Sequence, residues 1–342
     1  MSPAVGKSGG PGSWKRAVKD GAVALHARDW ADAKWSSIFA RDSAYAADSA
    51  DPEAIAAANL RGRGTEGEIQ GPMMKPAVWT WEVPTYFWFG GMAAGASFVA
   101  FACDLSGDHD SAVLARRVAL GALMPCPPLL VADLGRPERF HHMLRIFKPR
   151  SPMSMGSWCL SLFGGIAFSA VVSDLLERPR LARFLGALSV PVGAYLGSYT
   201  GVLLASTAVP VWKQSARFLG PIFVSTATLT GAGAVRLTVS SHQTKTALAR
   251  VEDAAVTAEL VLSAINRRRL GSLAVEGPWF SRAQWLVRGG LAARLCRLNP
   301  LASVCFMGAA LCYRFGWVRA GHASATDDAA VASTARLHIT QH

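Results

Sequence analysis

Val83-Pro-Thr-Tyr-Phe-Trp-Phe-Gly-Gly-Met-Ala-Ala-Gly-Ala-Ser-Phe-Val-Ala-Phe-Ala-Cys103 carries no charged side chain. About 20 such residues wound as a helix cross the ~30 Å of hydrocarbon in a bilayer. Four further stretches, at about 112–132, 156–175, 182–207 and 217–239, read in the same way, and 299–318 reads as the last. Between them the signal weakens. Residues 247–266 carry Glu252, Asp253 and Glu259, and residues 282–298 are short and hold Arg288, Arg294 and Arg297. A chain in lipid must satisfy its backbone hydrogen bonds within itself. The expectation is therefore an all-α integral membrane protein of about eight transmembrane helices in two four-helix bundles.

Composition supports this. Of 342 residues, 51% are hydrophobic and 17% charged, more apolar than an average soluble domain. Residues 1–76 read as a polar tail with short amphipathic helices around Trp14–Ala24 and Ala31–Ala40, residues 77–320 as the membrane domain, and 321–342 as a second polar tail. The amino-terminal region has no apolar core before a small-residue cleavage site, so no secretory signal is expected. The net charge of +12 raises nucleic acid as a partner. The basic residues, however, read as connector charges, at Arg116-Arg117, Arg178/Arg180/Arg183 and Arg267-Arg268-Arg269. Cytoplasmic loops and anionic lipid account for them, and nucleic acid is excluded as a partner. The connectors on the amino-terminal side are at least as basic as those opposite, so the positive-inside rule puts the amino terminus in the cytoplasm.

Six cysteines show no CxxC spacing, and the eight histidines fall in tails or connectors rather than inside apolar spans. No iron–sulfur cluster, no haem and no metal are expected in this chain.

Candidate chemistry gathers at span ends. Glu82 begins the first span, where an ionisable group is either functional or an interfacial anchor, and Tyr86 follows one turn later. Gly91 and Gly95, four apart, allow close helix packing. Ser198-Tyr-Thr-Gly-Val-Leu-Leu204 places a phenol beside a glycine inside the fourth span, where it either meets a planar ligand or bonds a neighbouring helix. Glu259 reads either as a proton relay or as a partner for an arginine such as Arg236. The connector Asp133-Leu-Gly-Arg-Pro-Glu-Arg-Phe140, with His141 and His142 after it, is the most charged segment between apolar spans. Its Asp133 and Arg136 suit an internal clamp or a proton-exchanging site equally.

Taken in order, Trp81-Glu-Val-Pro-Thr-Tyr-Phe-Trp-Phe-Gly-Gly-Met-Ala-Ala-Gly95, Asp133-Leu-Gly-Arg-Pro-Glu-Arg-Phe140, Ser151-Pro-Met-Ser-Met-Gly-Ser-Trp158 and Tyr199-Thr-Gly-Val-Leu-Leu204 closely resemble the NrfD/PsrC family, the membrane subunits of polysulfide reductase and related complexes. The resemblance covers about residues 75–330. It implies a bacterial inner-membrane, multi-pass subunit that binds menaquinone or ubiquinone as substrate. Its implied partners are a ferredoxin-like iron–sulfur subunit and, beyond it, a molybdopterin catalytic subunit. By position it implies that Tyr86 and Tyr199 contact the quinone, with Trp81 and Gly91 beside them. Asp133, Arg136, His141 and Glu82 would exchange its protons and Glu259 would extend the proton path. Two departures stand out: Met155 sits where the motif usually has Trp, and the seventh helix is short and Arg-rich. A secondary transporter or proton-conducting protein is the rival reading, although two matching halves with broken helices are not evident. An inert anchor for a catalytic subunit is the third.

Overall fold

The computed structural model describes residues 74, 77, 79–133, 140–145, 147–271, 273 and 277–339, all within one compact unit. Arg136 and the two amphipathic segments expected before residue 41 lie outside the described residues. Among the described residues there is helix and no strand. In chain order the helices are α1 (Glu82–Ser106), α2 (His109–Leu123), α3 (Cys126–Asp133), α4 (His142–Arg145), α5 (Pro152–Leu175), α6 (Pro179–Ala205), α7 (Pro210–Gln214), α8 (Ala216–Thr238), α9 (His242–Leu270), α10 (Pro278–Leu295), α11 (Asn299–Ala325) and α12 (Asp328–Ile339).

Six stretches are long and apolar enough to cross a membrane: α1, α2 with α3 (His109–Asp133), α5, α6, α8 and α11. The expected sixth and seventh spans are present as α9 and α10, but their charged residues leave them less apolar than the other six. The expected second span is broken. Pro125, Pro127 and Pro128 cannot donate to the preceding turn, so α2 stops at Leu123 and α3 restarts at Cys126. The start of α5 is encoded locally. Ser151 caps it by accepting from the Ser154 amide at 3.5 Å, and Pro152 occupies the first turn.

The long helices form two sets of four. In the first, α1, α2 with α3, α5 and α6 pack around in a closed ring. In the second, α8 packs on α9 and α11, and α11 packs on α10. The sets join where α8 lies against α1 and α6. There Gly95 and Gly231 face each other so closely that a methyl group on either would overlap the other helix's backbone, which is the close approach that small residues permit. The amino-terminal end of α1, called the near end here, is also where α3, α6, α9 and α11 finish and where α5, α8 and α10 begin.

Charged residues expected in connectors are instead buried at the far end. Arg116, read from sequence as a loop charge, lies inside α2. Its guanidinium donates to Asp174 of α5 at 2.6 and 2.8 Å and to Asp104 of α1 at 2.6 Å. The second set has its own network. Arg294 of α10 bonds Glu252 and, at 3.0 Å, Asp253 of α9, while Arg236 of α8 lies 3.7 Å from Glu252. Arg236 therefore pairs with Glu252 and not with Glu259. Glu252 and Asp253 of α9 and Arg294 of α10, which help to lower the hydropathy of these helices, pair across them. Between the sets, Asp108 caps α2 by accepting from the Ser111 amide at 3.1 Å and also takes the Thr244 hydroxyl at the start of α9. The Ser111 bonds, with the Thr244 hydroxyl, hold the Asp108 carboxyl below its usual range.

Candidate functional site

Two phenols meet inside the first set. Tyr86 on α1 and Tyr199 on α6 are 5% exposed each and belong to one apolar cluster with Phe87, Cys126, Cys159 and Phe163. The two helices run in opposite directions, and the tyrosines lie about 6 and 9 Å from their near ends at 1.5 Å rise per residue. They thus share a depth. Among the described residues neither hydroxyl has a hydrogen-bond partner. A buried phenol ordinarily finds one, so both oxygens are available to a ligand. The Tyr199 ring rests directly on Gly156 of α5, where a methyl group would overlap it. That gives the Pro-Met-Ser-Met-Gly stretch a physical role: it starts the helix and then supplies the flat seat for Tyr199. Two more of its hydroxyls hold the preceding connector, Ser154 accepting from the Lys148 amide at 3.0 Å and Ser157 donating to the Met143 carbonyl at 3.3 Å.

The other expected residues occupy the same end at varied burial. Glu82 is buried in the first turn of α1, where the helix dipole favours a carboxylate, and it accepts the Thr80 hydroxyl. Trp81 is 59% exposed, whereas Trp79 stacks on Trp212 with ring centroids 5.2 Å apart. Asp133 closes α3 half-buried, and His141 is exposed before α4. Gly91 is buried one turn beyond the phenols and faces Arg314 rather than open space. Glu259 is buried, but in the second set, away from the other expected residues.

The sequence model of the polysulphide reductase NrfD family matches residues 71–263. The chain belongs to the NrfD family. No curated protein matches it. Members of the family are membrane subunits of quinone-interacting oxidoreductase complexes, and the six apolar helices agree with a multi-pass membrane protein. The match takes in all four motifs and α9 as far as Ser263, so it reaches the phenols and Glu259 but ends before α10.

This NrfD chain also holds buried polar contacts that sequence reading missed. Arg314 of α11 is 1% exposed and has no carboxylate partner among the described residues. It donates to Thr200 at 2.9 Å and Thr226 at 3.4 Å, lies 4.9 Å over the Phe223 ring, and its Nε has no partner. Two hydroxyls and a ring face offset only part of the several kcal/mol that desolvating a guanidinium costs. The neighbouring Tyr313 bonds Ser263, which donates to Glu259 at 2.7 Å. Two polar groups result, Thr200–Arg314–Thr226 and Tyr313–Ser263–Glu259. A signal for the first existed, since a cation inside an apolar span is a functional candidate and Arg314 falls within the expected span 299–318. Thr226, Glu259, Ser263 and Tyr313 line a partly open cavity of about 550 Å³ between α9 and α10. Neither Tyr86 nor Tyr199 reaches it.

Proposed function

We propose that the chain is the quinone-binding membrane subunit of its complex, passing electrons between menaquinone or ubiquinone and a ferredoxin-like iron–sulfur subunit that serves a molybdopterin enzyme. The observation that carries this reading is the meeting of Tyr86 and Tyr199, two buried phenols with unclaimed hydroxyls, at one depth on neighbouring helices. Such a pair can donate to a quinone carbonyl while the surrounding apolar cluster holds the ring. Trp81 and Gly91 border the same end of α1.

Quinol oxidation releases two protons with two electrons, so acceptors must lie nearby. Glu82, Asp133 and His141, at the near end of α1 and in the connector after α3, fill that role in this reading, and Arg136 of that connector, which stays protonated, supplies positive charge to the proton-exchanging segment. The Thr200–Arg314–Thr226 group, with the cavity that Thr226 shares with Tyr313, Ser263 and Glu259, is the inward proton path in this reading. The Arg314 charge favours the anionic forms of a reduced quinone beside it. In this proposal the complex sits in a bacterial inner membrane.

The test uses the intact complex. Tyr86→Phe and Tyr199→Phe each remove one hydrogen bond, worth about 0.5–1.5 kcal/mol. Each is expected to weaken binding of a quinol analogue by about three- to tenfold with assembly unchanged. Glu259→Gln is expected to leave analogue binding intact and slow proton-coupled turnover. Unaltered quinol-linked electron transfer in both tyrosine variants would overturn the site. An unaltered rate in Glu259→Gln would remove that residue from the path.

A further inference from the structure

The cavity between α9 and α10 has two kinds of wall. One stripe of α9, from Val256 through Leu260 to Ala264, faces Val287 and Leu291 of α10, so the interior is apolar. Leu260 and Leu291 are 43% and 40% exposed, which puts the mouth on the outer surface of the helix pair. At the near end the wall changes character. Arg267 and Arg268 come from the last turn of α9, whereas Arg288 of α10 lines the cavity deeper, about 15 Å from the near-end start of that helix. All three are exposed, and none makes an ion pair among the described residues. Arg288 stacks over Trp285 at 5.1 Å, one turn nearer that end, the direction in which a long cation reaches for the polar layer.

An apolar slot of about 550 Å³ falls within the ~300–1,000 Å³ typical of ligand sites. It opens toward lipid and carries two exposed arginines, Arg267 and Arg268, at its near end, which fits an amphiphile with a negative head. A quinone has a neutral head and leaves these charges unmatched. Basic pockets between membrane helices select anionic lipid headgroups. We propose that this cleft holds an anionic phospholipid, one acyl chain lying between α9 and α10 and the phosphate on Arg267 and Arg268. The occupant also walls Glu259, Ser263 and Tyr313 off from the hydrocarbon outside.

The full chain, purified and delipidated, is offered phosphatidylglycerol or phosphatidylcholine of the same acyl composition. Retention is read by native mass spectrometry and by the unfolding midpoint. Phosphatidylglycerol is expected to bind at least fivefold more tightly and to raise the midpoint, and inorganic phosphate alone to do neither. Arg267→Gln with Arg268→Gln should cut the preference to under twofold, and Ala264→Trp, which fills the slot, should reduce retention of both lipids. Arg178→Gln with Arg180→Gln, on the basic turn at the far end, should leave retention unchanged. Equal binding of the two lipids by the unaltered chain overturns the proposal even if no variant folds. So does a lipid preference untouched by both cleft variants, or displacement of the lipid by a quinone.

Discussion

The first four long helices keep their buried ion pairs in one place, with Arg116 between Asp104 and Asp174 at the far end, and leave the near end to apolar side chains, two phenols and the Glu82 carboxylate. The second four distribute charge along their length: Arg236, Glu252 and Arg294 at the far end, Arg314 and Glu259 farther in. The first set closes into a ring, and the second leaves a cleft between α9 and α10. The difference separates two tasks. On the function proposed above, a compact apolar cluster suits a neutral ring that must be held and oriented. A looser set with buried hydroxyls and carboxylates suits groups that must exchange protons or meet a polar head.

The comparison is most sharply tested at its two charge networks. Arg116→Met leaves Asp104 and Asp174 buried without their cation, and unfolding in detergent is expected to show a loss of about 3–5 kcal/mol. Glu252→Gln is expected to cost less, about 1–3 kcal/mol. Arg294 there keeps Asp253, and Arg236 keeps the Asn299 carbonyl at 2.7 Å and the Ser303 hydroxyl at 2.8 Å. Equal losses would mean that the second network is no better shared than the first.

Two glycines come next. Gly156→Ala pushes on the Tyr199 ring and Gly290→Ala on the Phe306 ring, and overpacking of this kind costs about 1–3 kcal/mol. Only Gly156→Ala should also lower quinol-linked electron transfer, by about tenfold or more if the Tyr199 oxygen loses its alignment. A comparable drop in Gly290→Ala would break the separation of the two sets.

The smallest effect concerns Asp108, where the sets touch at the far end. Its folded carboxyl is held low by the Ser111 and Thr244 bonds. The stabilisation is therefore complete above the ordinary Asp value of about 3.9, and it fades as pH falls through the lower folded value. Asp108→Asn should be less stable than the unaltered chain at neutral pH, with the gap closing in acid. A gap independent of pH would mean that the cap acts only as a neutral hydrogen bond.

Much of the first set was legible because its charges lie near helix ends, so length and apolarity marked α1, α5 and α6 directly. The broken second span was harder to read. Its prolines were visible, yet a sliding apolar window passes over Pro125, Pro127 and Pro128 without noticing that they cannot donate. In the second set the signal was masked by pairing: Glu252, Asp253 and Arg294 count against a span one helix at a time and support each other once α9 and α10 are adjacent. Tyr86 and Tyr199 could be singled out from motif and position, but Gly156 as the seat of Tyr199 could not, because the contact joins α5 to α6 through a ring. Arg314 was within reach as a cation inside the expected span 299–318, but its hydroxyl partners on α6 and α8 were not.

The pairing of Arg294 with Glu252 and Asp253 also bears on how the chain enters the bilayer. A lone Asp well inside an inserting helix costs up to about 2.5–3.5 kcal/mol, so α9, with Glu252 and Asp253 inside it and Arg294 only in the last turn of α10, is a poor passenger by itself. Joined by a short near-end connector, they can cross as a hairpin with their charges already matched. Synthesis up to Leu270 yields a half-hairpin with exposed carboxylates, which would wait at the membrane surface until Arg294 emerges behind it.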